Sequence, residues 1–471
     1  MTELKLKPER FTVDVEPEFL HELMERTIQK SGSTMGLAEY IIKKHKLKIC
    51  IHARRLADNI KKWQRKKQSI PLVYYLTIGN HAGVKDTELY KNINGIRLYK
   101  CRKNIHINYP LTLNKYWGFV SECIRVEGTI TKKAVILENT NTEITAKFEQ
   151  CVRKLGIPKG NIHNHLNVRI QIPESTPRNS IRIINLETNK EIENFHMRIL
   201  KLKRGLKKEI AFYNKNFSYG KPLLFKVCCA NSHFFVKVIV PKNGKIICTS
   251  NLKDERYKKT CVSLFMQIDN KTLVWILENI FDIPVGKKSS IITIPDIIKS
   301  AEREILADVV SVVLACESTI SIGSRWVNIV SLSADYLRDF QEILARLTIT
   351  SNVNKNSVRI CGSRNFAKLK ECDFIINEKI HTFKKLLINK VVQSPKGQSK
   401  TLYLKSLNEL GIATWPQIRT QSNRIGNSSR IYLKELLERK LVKRVGHSWP
   451  REYVMTVEGK KHLERNKMYW E

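Results

Sequence analysis

The 471-residue sequence predicts an α+β protein built from several parts, and three observations carry that expectation. Two well-separated segments share one layout: an apolar helix, a glutamate at its end, a small residue, then Thr-Ile opening a strand. Residues 1–110 read as short helices, the third strongly basic. Residues 401–471 read as three helices, a hairpin and a closing helix. At ~100–200 residues per domain the chain has room for two to four domains, and it can bury a core without disulfides or a structural metal.

Charge decides the class of partner. The chain has 83 Lys and Arg against 44 Asp and Glu, a net charge of +39 and a pI near 9.8. That excess argues against a metabolic enzyme for small neutral substrates and favours a polyanion. The longest apolar run, Val309 to Cys316, is broken by Ser311. It falls far short of the ~20 residues of a spanning helix, and Met1-Thr-Glu-Leu-Lys5 has no apolar signal core. Nucleic acid is therefore expected rather than a membrane surface, in a cytoplasmic setting. The 11 cysteines show neither C-x-x-C nor H-x(3–5)-H spacing, so buried free thiols are expected instead of zinc ligands.

In residues 1–110, Phe19 to Ile28 and Leu37 to Ile42 read as two helices, with Ser31-Gly32-Ser33 as the turn. Between Lys43 and Lys67 there are 11 basic residues and one acid, Asp58. Ala53, Leu56, Ala57, Ile60 and Trp63 make one apolar helix face. Arg54, Arg55, Lys61, Lys62 and Arg65 lie off it. Three short helices with a basic third resemble a helix-turn-helix, and these five residues are candidate DNA contacts. The competing reading is a solvated helix that only keeps the chain soluble.

The central chemistry starts with Tyr116-Trp-Gly-Phe-Val-Ser-Glu-Cys-Ile-Arg-Val-Glu127-Gly128-Thr-Ile130. Its counterpart is Ile305-Leu-Ala-Asp-Val-Val-Ser-Val-Val-Leu-Ala-Cys-Glu317-Ser318-Thr-Ile320. A carboxylate at a helix C-terminus is opposed by the macrodipole unless something positive compensates. Two such ends brought together would offer two carboxylates to divalent metal. After Glu127 the pattern predicts a hairpin (Thr129–Thr131, Ala134–Glu138), a helix over Asn141–Leu155 and a strand over Leu166–Ile172. After Glu317 it predicts strands at Thr319–Gly323 and Trp326–Ser331, a helix over Asp335–Leu347, and strands near Thr348–Val353 and Ser357–Cys361. The run Ile283-Pro-Val-Gly-Lys-Lys-Ser-Ser-Ile-Ile-Thr-Ile-Pro295 precedes the second motif.

These segments, in this order, resemble the paired motifs of LAGLIDADG homing endonucleases over roughly residues 111–390. The resemblance implies a pseudo-symmetric monomer of two α-β-β-α-β-β repeats, with motif helix packed on motif helix and a curved sheet from each repeat in the DNA major groove. It implies that Glu127 and Glu317 are the catalytic carboxylates and hold Mg²⁺ between two scissile phosphates. Candidate base readers are Asn164, Asn167 and Arg169 in the first repeat, and Arg325, Asn328, Asn354, Asn356 and Arg359 in the second. This chain departs from the family at the third motif position, usually small, where it has Glu122 and Val312. It also has Ser318 where the first motif has Gly128. Ala307, Ser311 and Ala315 offer an alternative small stripe. The separation of the two acids requires an insertion in the first repeat, expected within 191–282. His163 and His165 read as surface polar residues.

Gln393-Ser-Pro-Lys-Gly-Gln-Ser-Lys400 is punctuated like a linker. Beyond it, Tyr403, Leu404, Leu407 and Leu410 give a helix stopped by Gly411. Trp415-Pro416 opens a second helix. Ser429 to Lys440 gives a third, with Ile431, Leu433, Leu436, Leu437 and Leu441 as its apolar stripe. Strands at Leu441–Val445 and Tyr453–Val457 and a helix over Glu458–Glu464 complete a winged-helix-like pattern. Residues 396–471 hold 16 basic against 7 acidic residues, and Arg430, Lys434, Lys443 and Arg444 are candidate DNA contacts. A winged helix used for protein contact is the competing reading.

The organisation expected is therefore a basic helical region (1–110), a first repeat with its insertion (111–300), a second repeat (301–392), a linker (393–400) and a winged-helix-like domain (401–471). The function expected is a site-specific, Mg²⁺-dependent endonuclease of duplex DNA acting as a monomer. The alternatives are a cleavage-inactive transcriptional regulator on the same scaffold, and an RNA-binding, splicing-type protein.

Overall fold

The computed structural model describes residues 4, 6–45, 53–65, 68–99, 101, 109–173, 175–202, 205–229, 232–250, 260–388, 399–422, 428–446 and 450–465. They form two compact units: residues 1–319, 328–360 and 368–380, and residues 320–327, 361–367 and 381–471.

The first unit opens with β1 (Phe11–Val15), α1 (Pro17–Lys30), α2 (Thr34–Lys44) and α3 (Ala53–Gln64), then β2 (Ile70–Pro71), α4 (Leu72–Ala82), α5 (Asp86–Lys91) and β3 (Ile93–Leu98). The Glu16 carboxylate accepts from Phe19 N (2.8 Å) to start α1, and the Ser33 hydroxyl accepts from Gly36 N (3.0 Å) to start α2. These caps satisfy amides that a helix start leaves unpaired. On α3, Leu56, Ala57, Ile60 and Trp63 are buried as the periodicity predicts. The antiparallel sheet β2-β1-β3 was not expected, because β1 finds its partners only far along the chain. This region is tied to a later stretch of the chain: Phe11 meets Trp275 edge-on at 4.9 Å, and Leu98 N donates to Thr272 Oγ1 at 3.0 Å.

The middle of the chain runs α6 (Lys115–Val126), β4 (Gly128–Ile130), β5 (Val135–Asn139), α7 (Thr142–Lys154) and β6 (Ile162–Pro173). Seven strands come next: β7 (Ile181–Asn185), β8 (Lys190–Glu191), β9 (Phe195–Leu202), β10 (Gly205–Asn214), β11 (Pro222–Cys229), β12 (Ser232–Ile239) and β13 (Ile247–Ser250). The chain returns through β14 (Thr260–Ile268) to α8 (Lys271–Asn279). Two sheets result, ordered β4-β5-β14-β6-β10-β9 and β13-β12-β11-β7-β8. They share one core, in which Val168, Ile170, Phe212 and Leu264 of the first sheet join Phe225, Val227 and Val236 of the second. Strand alternation turns the intervening residues of the six-stranded sheet, Asn167, Arg169, Tyr213, Ser263 and Phe265 among them, to its other face. The strands β7 to β13 separate β6 from β14, so this extra stretch starts before residue 191, where an insertion was expected. It leaves after β6, and β14 comes back to pair with both β6 and β5.

Beyond α8 the chain forms α9 (Asp296–Lys299), α10 (Arg303–Cys316), β15 (Ser318–Ser321), β16 (Trp326–Val330), α11 (Ala334–Arg346), β17 (Ser351–Asn354), β18 (Ser357–Cys361), α12 (Ser363–Leu369) and α13 (Asn377–Ile388), with the sheet β15-β16-β18-β17. Helices α6 and α10 pack together. A Cβ on Gly118 would stand 2.9 Å from Ile305 Cγ2, so glycine is what permits this approach.

The second unit includes α14 (Ser399–Leu410), β19 (Ile412–Thr414), α15 (Trp415–Gln421), α16 (Ser428–Glu438), β20 (Val442–Val445), β21 (Glu452–Met455) and α17 (Val457–Arg465). Tyr403, Leu404, Leu407, Ile418, Leu436, Val442 and Tyr453 share its core. Three expectations are corrected. Ile431 is 60% exposed and not part of the buried stripe. Residues 412–414 form a third strand beside β21. The chain at Ser399 and Lys400, read as linker, is already helical, while 393–398 lie outside the described residues. Among the described residues, all ten cysteines are free thiols, and no helix is long and apolar enough to cross a membrane.

Candidate active site at two helix ends

Glu127 and Glu317 are the C-caps of α6 and α10. Both are half-buried. Each helix keeps its ladder to the end, with Glu127 N donating to Cys123 O (3.0 Å) and Glu317 N to Val313 O (2.9 Å). The chain then turns directly into β4 and β15. A Cβ on Gly128 would meet Ile136 O at 2.8 Å, so the first motif needs glycine there. Ser318, at the matching place, folds its hydroxyl back onto Leu314 O (2.5 Å).

Because α6 packs on α10, the two carboxylates act on one another. Burial, then repulsion from Glu317, raises the Glu127 pKa to about 7, against the pull of Lys288 and Lys379. Burial raises Glu317 as well, again opposed by the two lysines. The two carboxylates are coupled, so protons come on and off the pair rather than one member of it.

The two lysines are not marked by the sequence. The Lys288 ammonium donates to Arg125 O (2.5 Å), at the end of α6. That of Lys379 donates to Leu314 O (2.9 Å), Ala315 O (2.7 Å) and Ser318 O (2.7 Å), at the end of α10. Arg125 and Ala315 each precede their motif glutamate by two residues, so the lysines cap equivalent carbonyls. They supply the positive charge that a helix C-terminus favours. Burial lowers the Lys288 pKa to about 8, with repulsion from Arg125 adding to it, while Glu122, Glu127 and Glu317 hold it up. Burial lowers Lys379 too, opposed by Cys316 and the glutamate pair. Lys288 falls within the Gly-Lys-Lys-Ser run before the second motif, but nothing local in the sequence marks its destination.

Among the described residues no group of three or more His, Cys, Asp or Glu could hold a metal ion. The donors here are two carboxylates. Burial is the main cause of their raised pKa values, and repulsion within the pair adds to it at Glu127. That donor set fits Mg²⁺, which takes one or two carboxylates and completes its shell with water and substrate phosphate.

Glu122, the departure at the third motif position, reaches α11. It is fully buried, pairs with Arg125 Nε (3.0 Å) and accepts from Tyr336 Oη (2.6 Å) on that helix.

The other candidates are scattered. Arg54, Arg55, Lys61, Lys62 and Arg65 are carried by α3 and its C-terminal end, and Arg54, Arg55, Lys61 and Lys62 lie off its buried face. On the six-stranded sheet, Asn167 is buried, not open to a base edge as expected, and Arg169 is half-buried; both are held by Glu138, which also accepts from Ser263. Asn164 lies on the opposite face and donates to Glu149 of α7 (3.3 Å). Asn328 is half-buried on β16, and Asn354, Asn356 and Arg359 are exposed around the β17–β18 turn. Arg325, at φ 52°, lies over the Phe366 ring at 6.0 Å. Lys434, Lys443 and Arg444 are exposed in the second unit, and the Arg430 side chain lies outside the described residues. His163 pairs with Asp269 (3.3 Å), and His165 stacks near Phe265.

No family model matches the chain. Of curated proteins, it is similar to one described as a probable translation initiation factor IF-2 from Methanocaldococcus jannaschii, at 22% identity over 227 residues. That match covers 45% of this chain and 19% of that protein, so the chain spans about a fifth of the curated relative it matches.

Proposed function

We propose that this chain is a LAGLIDADG-type endonuclease that binds duplex DNA and hydrolyses its phosphodiester bonds with Mg²⁺ at Glu127 and Glu317. The observation that carries the reading is the convergence of the two carboxylates at the ends of packed helices, each end capped by a lysine. Element order supports it. Helix, two strands, helix and two strands run from α6 to β14, apart from the insertion, and again from α10 to β18. The sheet orders β4-β5-β14-β6 and β15-β16-β18-β17 then correspond strand for strand.

In this reading Glu127 and Glu317 hold the metal. Bound there, Mg²⁺ supplies an activated water and stabilises the leaving oxygen. Lys288 and Lys379 keep positive charge beside the carboxylate pair, with their ammonium protons given to carbonyls at the two helix ends. The outward residues of the sheets and the basic surface of α3 contact bases and backbone. The initiation factor's matching fifth contributes no role in translation to this proposal.

A second reading, a DNA-binding regulator without cleavage, draws on the same lysines, because they already offset part of the carboxylate charge without metal. Incubating the purified chain with duplexes from its own genomic flanks in Mg²⁺ tests the two. Defined double-strand breaks are the expected result. Tight, salt-sensitive binding with no break in Mg²⁺ or Mn²⁺ would replace the enzyme with the regulator. Preferential competition by structured RNA would move the reading to an RNA-binding protein.

A further inference from the structure

The two lysines reach the carboxylates by unequal routes. Lys379 stands on a helix, α13, and its ammonium is fixed by three carbonyls of the α10 end. Lys288 stands between α8 and α9, in residues 280–295, which have no helix and one isolated bridge, Val285 to Ile130. Backbone bonds such as Ile283 N to Leu277 O, Gly286 N to Ile130 O and Ile292 N to Lys288 O shape it locally, and side chains from other elements add to them.

We propose that Tyr336, Glu122 and Arg125 form a positioning relay that fixes the 280–295 segment and so seats Lys288, but not Lys379, at the carboxylate pair. The Arg125 guanidinium donates from Nη2 to Phe281 O (2.8 Å) and from Nη1 to Thr293 O (2.5 Å), the two ends of the segment. Its Nε donates to Glu122 Oε2 (3.0 Å), and Glu122 Oε1 accepts from Tyr336 Oη (2.6 Å). A guanidinium is a rigid planar fork, so holding one edge fixes the direction of the others. The far end of the segment is tied to the same helix: Ser333 Oγ donates to Ile292 O (2.6 Å), and Ile294 N donates to Asp339 Oδ2 (2.8 Å). The loop that carries Lys288 is thereby held by α6 and α11 together.

Energetics favour a positioning role over a purely stabilising one. Glu122 and Arg125 are both fully buried. A buried ion pair returns little net stability compared with apolar residues of the same volume. The matching residues on α10 are Val312 and Ala315, so an uncharged core is feasible at this level of the fold. What the charged version adds is direction, applied to the one lysine of the two that lacks a helix beneath it.

This inference rests on the reading of the site as a DNA-cutting centre, and its test separates the two. The full chain and its Tyr336→Phe variant, which removes only a hydroxyl, are treated with acetic anhydride, and labelling of each lysine is followed by peptide mass spectrometry. Ser333→Ala serves as the second variant, loosening the segment from its other end. The expected result is severalfold faster acetylation of Lys288 with Lys379 unchanged. The same proteins are then assayed in Mg²⁺ on a duplex labelled separately on each strand. Nicking of one strand should slow by about tenfold or more, as a small misplacement of a reacting group does, while the other strand stays within about twofold. Unchanged Lys288 labelling, or equal changes at both lysines and both strands, would overturn the relay and leave the network merely structural. If the parent does not cut but Lys288 alone becomes reactive in the variants, the relay stands and the endonuclease reading falls.

Discussion

The ends of α6 and α10 do the same thing with different materials. Both finish on a glutamate, both turn into a strand, and both have a lysine on the carbonyl two residues before the acid. At α10 the surroundings are apolar: Val312 and Ala315 fill the core, and the lysine rides on a regular helix. At α6 those places are Glu122 and Arg125, and the lysine rides on an irregular segment that they tie down. The difference teaches that the carboxylate-and-lysine geometry is the shared feature, and that the support behind it is free to vary. At the α6–α10 contact the close approach is provided by Gly118, opposite Ile305.

The sharpest way to break this comparison is at the third motif position. Glu122→Ala leaves the Arg125 charge buried and unpaired, and should cost about 3–5 kcal/mol. Val312→Ala removes only methyl groups from a packed core, and should cost roughly 2 kcal/mol. Urea unfolding of both variants checks this. Equal losses would mean that the ionic network adds nothing beyond volume.

Gly118 gives the next effect. Gly118→Val forces side-chain atoms into Ile305 and should destabilise by about 1–3 kcal/mol, the usual penalty of overpacking. Cutting back the opposing side chain, as Gly118→Val with Ile305→Ala, should recover part of that loss in the same unfolding assay. No recovery would place the strain somewhere other than the α6–α10 contact.

A further effect is on pH dependence. Glu127 has a pKa raised from 4.5 to about 7, so its contribution to stability is fully present below pH 4.5 and is lost as pH rises through 7. Metal-free Glu127→Gln should therefore melt a few degrees above the parent at pH 8 and level with it at pH 4.5. Glu317→Gln should show the same sign. Calorimetry at the two pH values reads both, and an unchanged melting temperature at pH 8 would show that Glu127 is better solvated than its position indicates.

Much of this site was legible in the sequence because its pieces are local. An apolar run that ends in an acid and Thr-Ile fixes a helix, its end and the following strand within about fifteen residues, and it did so twice. The helices and hairpin strands of the tail were legible for the same reason. Lys288 and Lys379 were not, since each reaches its carbonyls from a distant part of the chain. Glu122 read as a defect because its partner Tyr336 lies on α11, and i, i+3 spacing alone says nothing about Arg125 gripping Phe281 and Thr293. The early start of the insertion was hidden too, because β6 and β14 pair with each other across it and no local signal marks the break.

The claim that the two helix ends form one metal-dependent centre is tested most directly by Glu127→Gln and Glu317→Gln on a single verified duplex. Each substitution removes a metal-holding charge while keeping shape and most hydrogen bonding. Each also removes negative charge from a surface that, in the proposed reading, faces phosphate. If that claim holds, both variants bind the duplex without metal at least as tightly as the parent, and both lose cleavage in Mg²⁺ by several orders of magnitude. Cleavage that survives either substitution would contradict it.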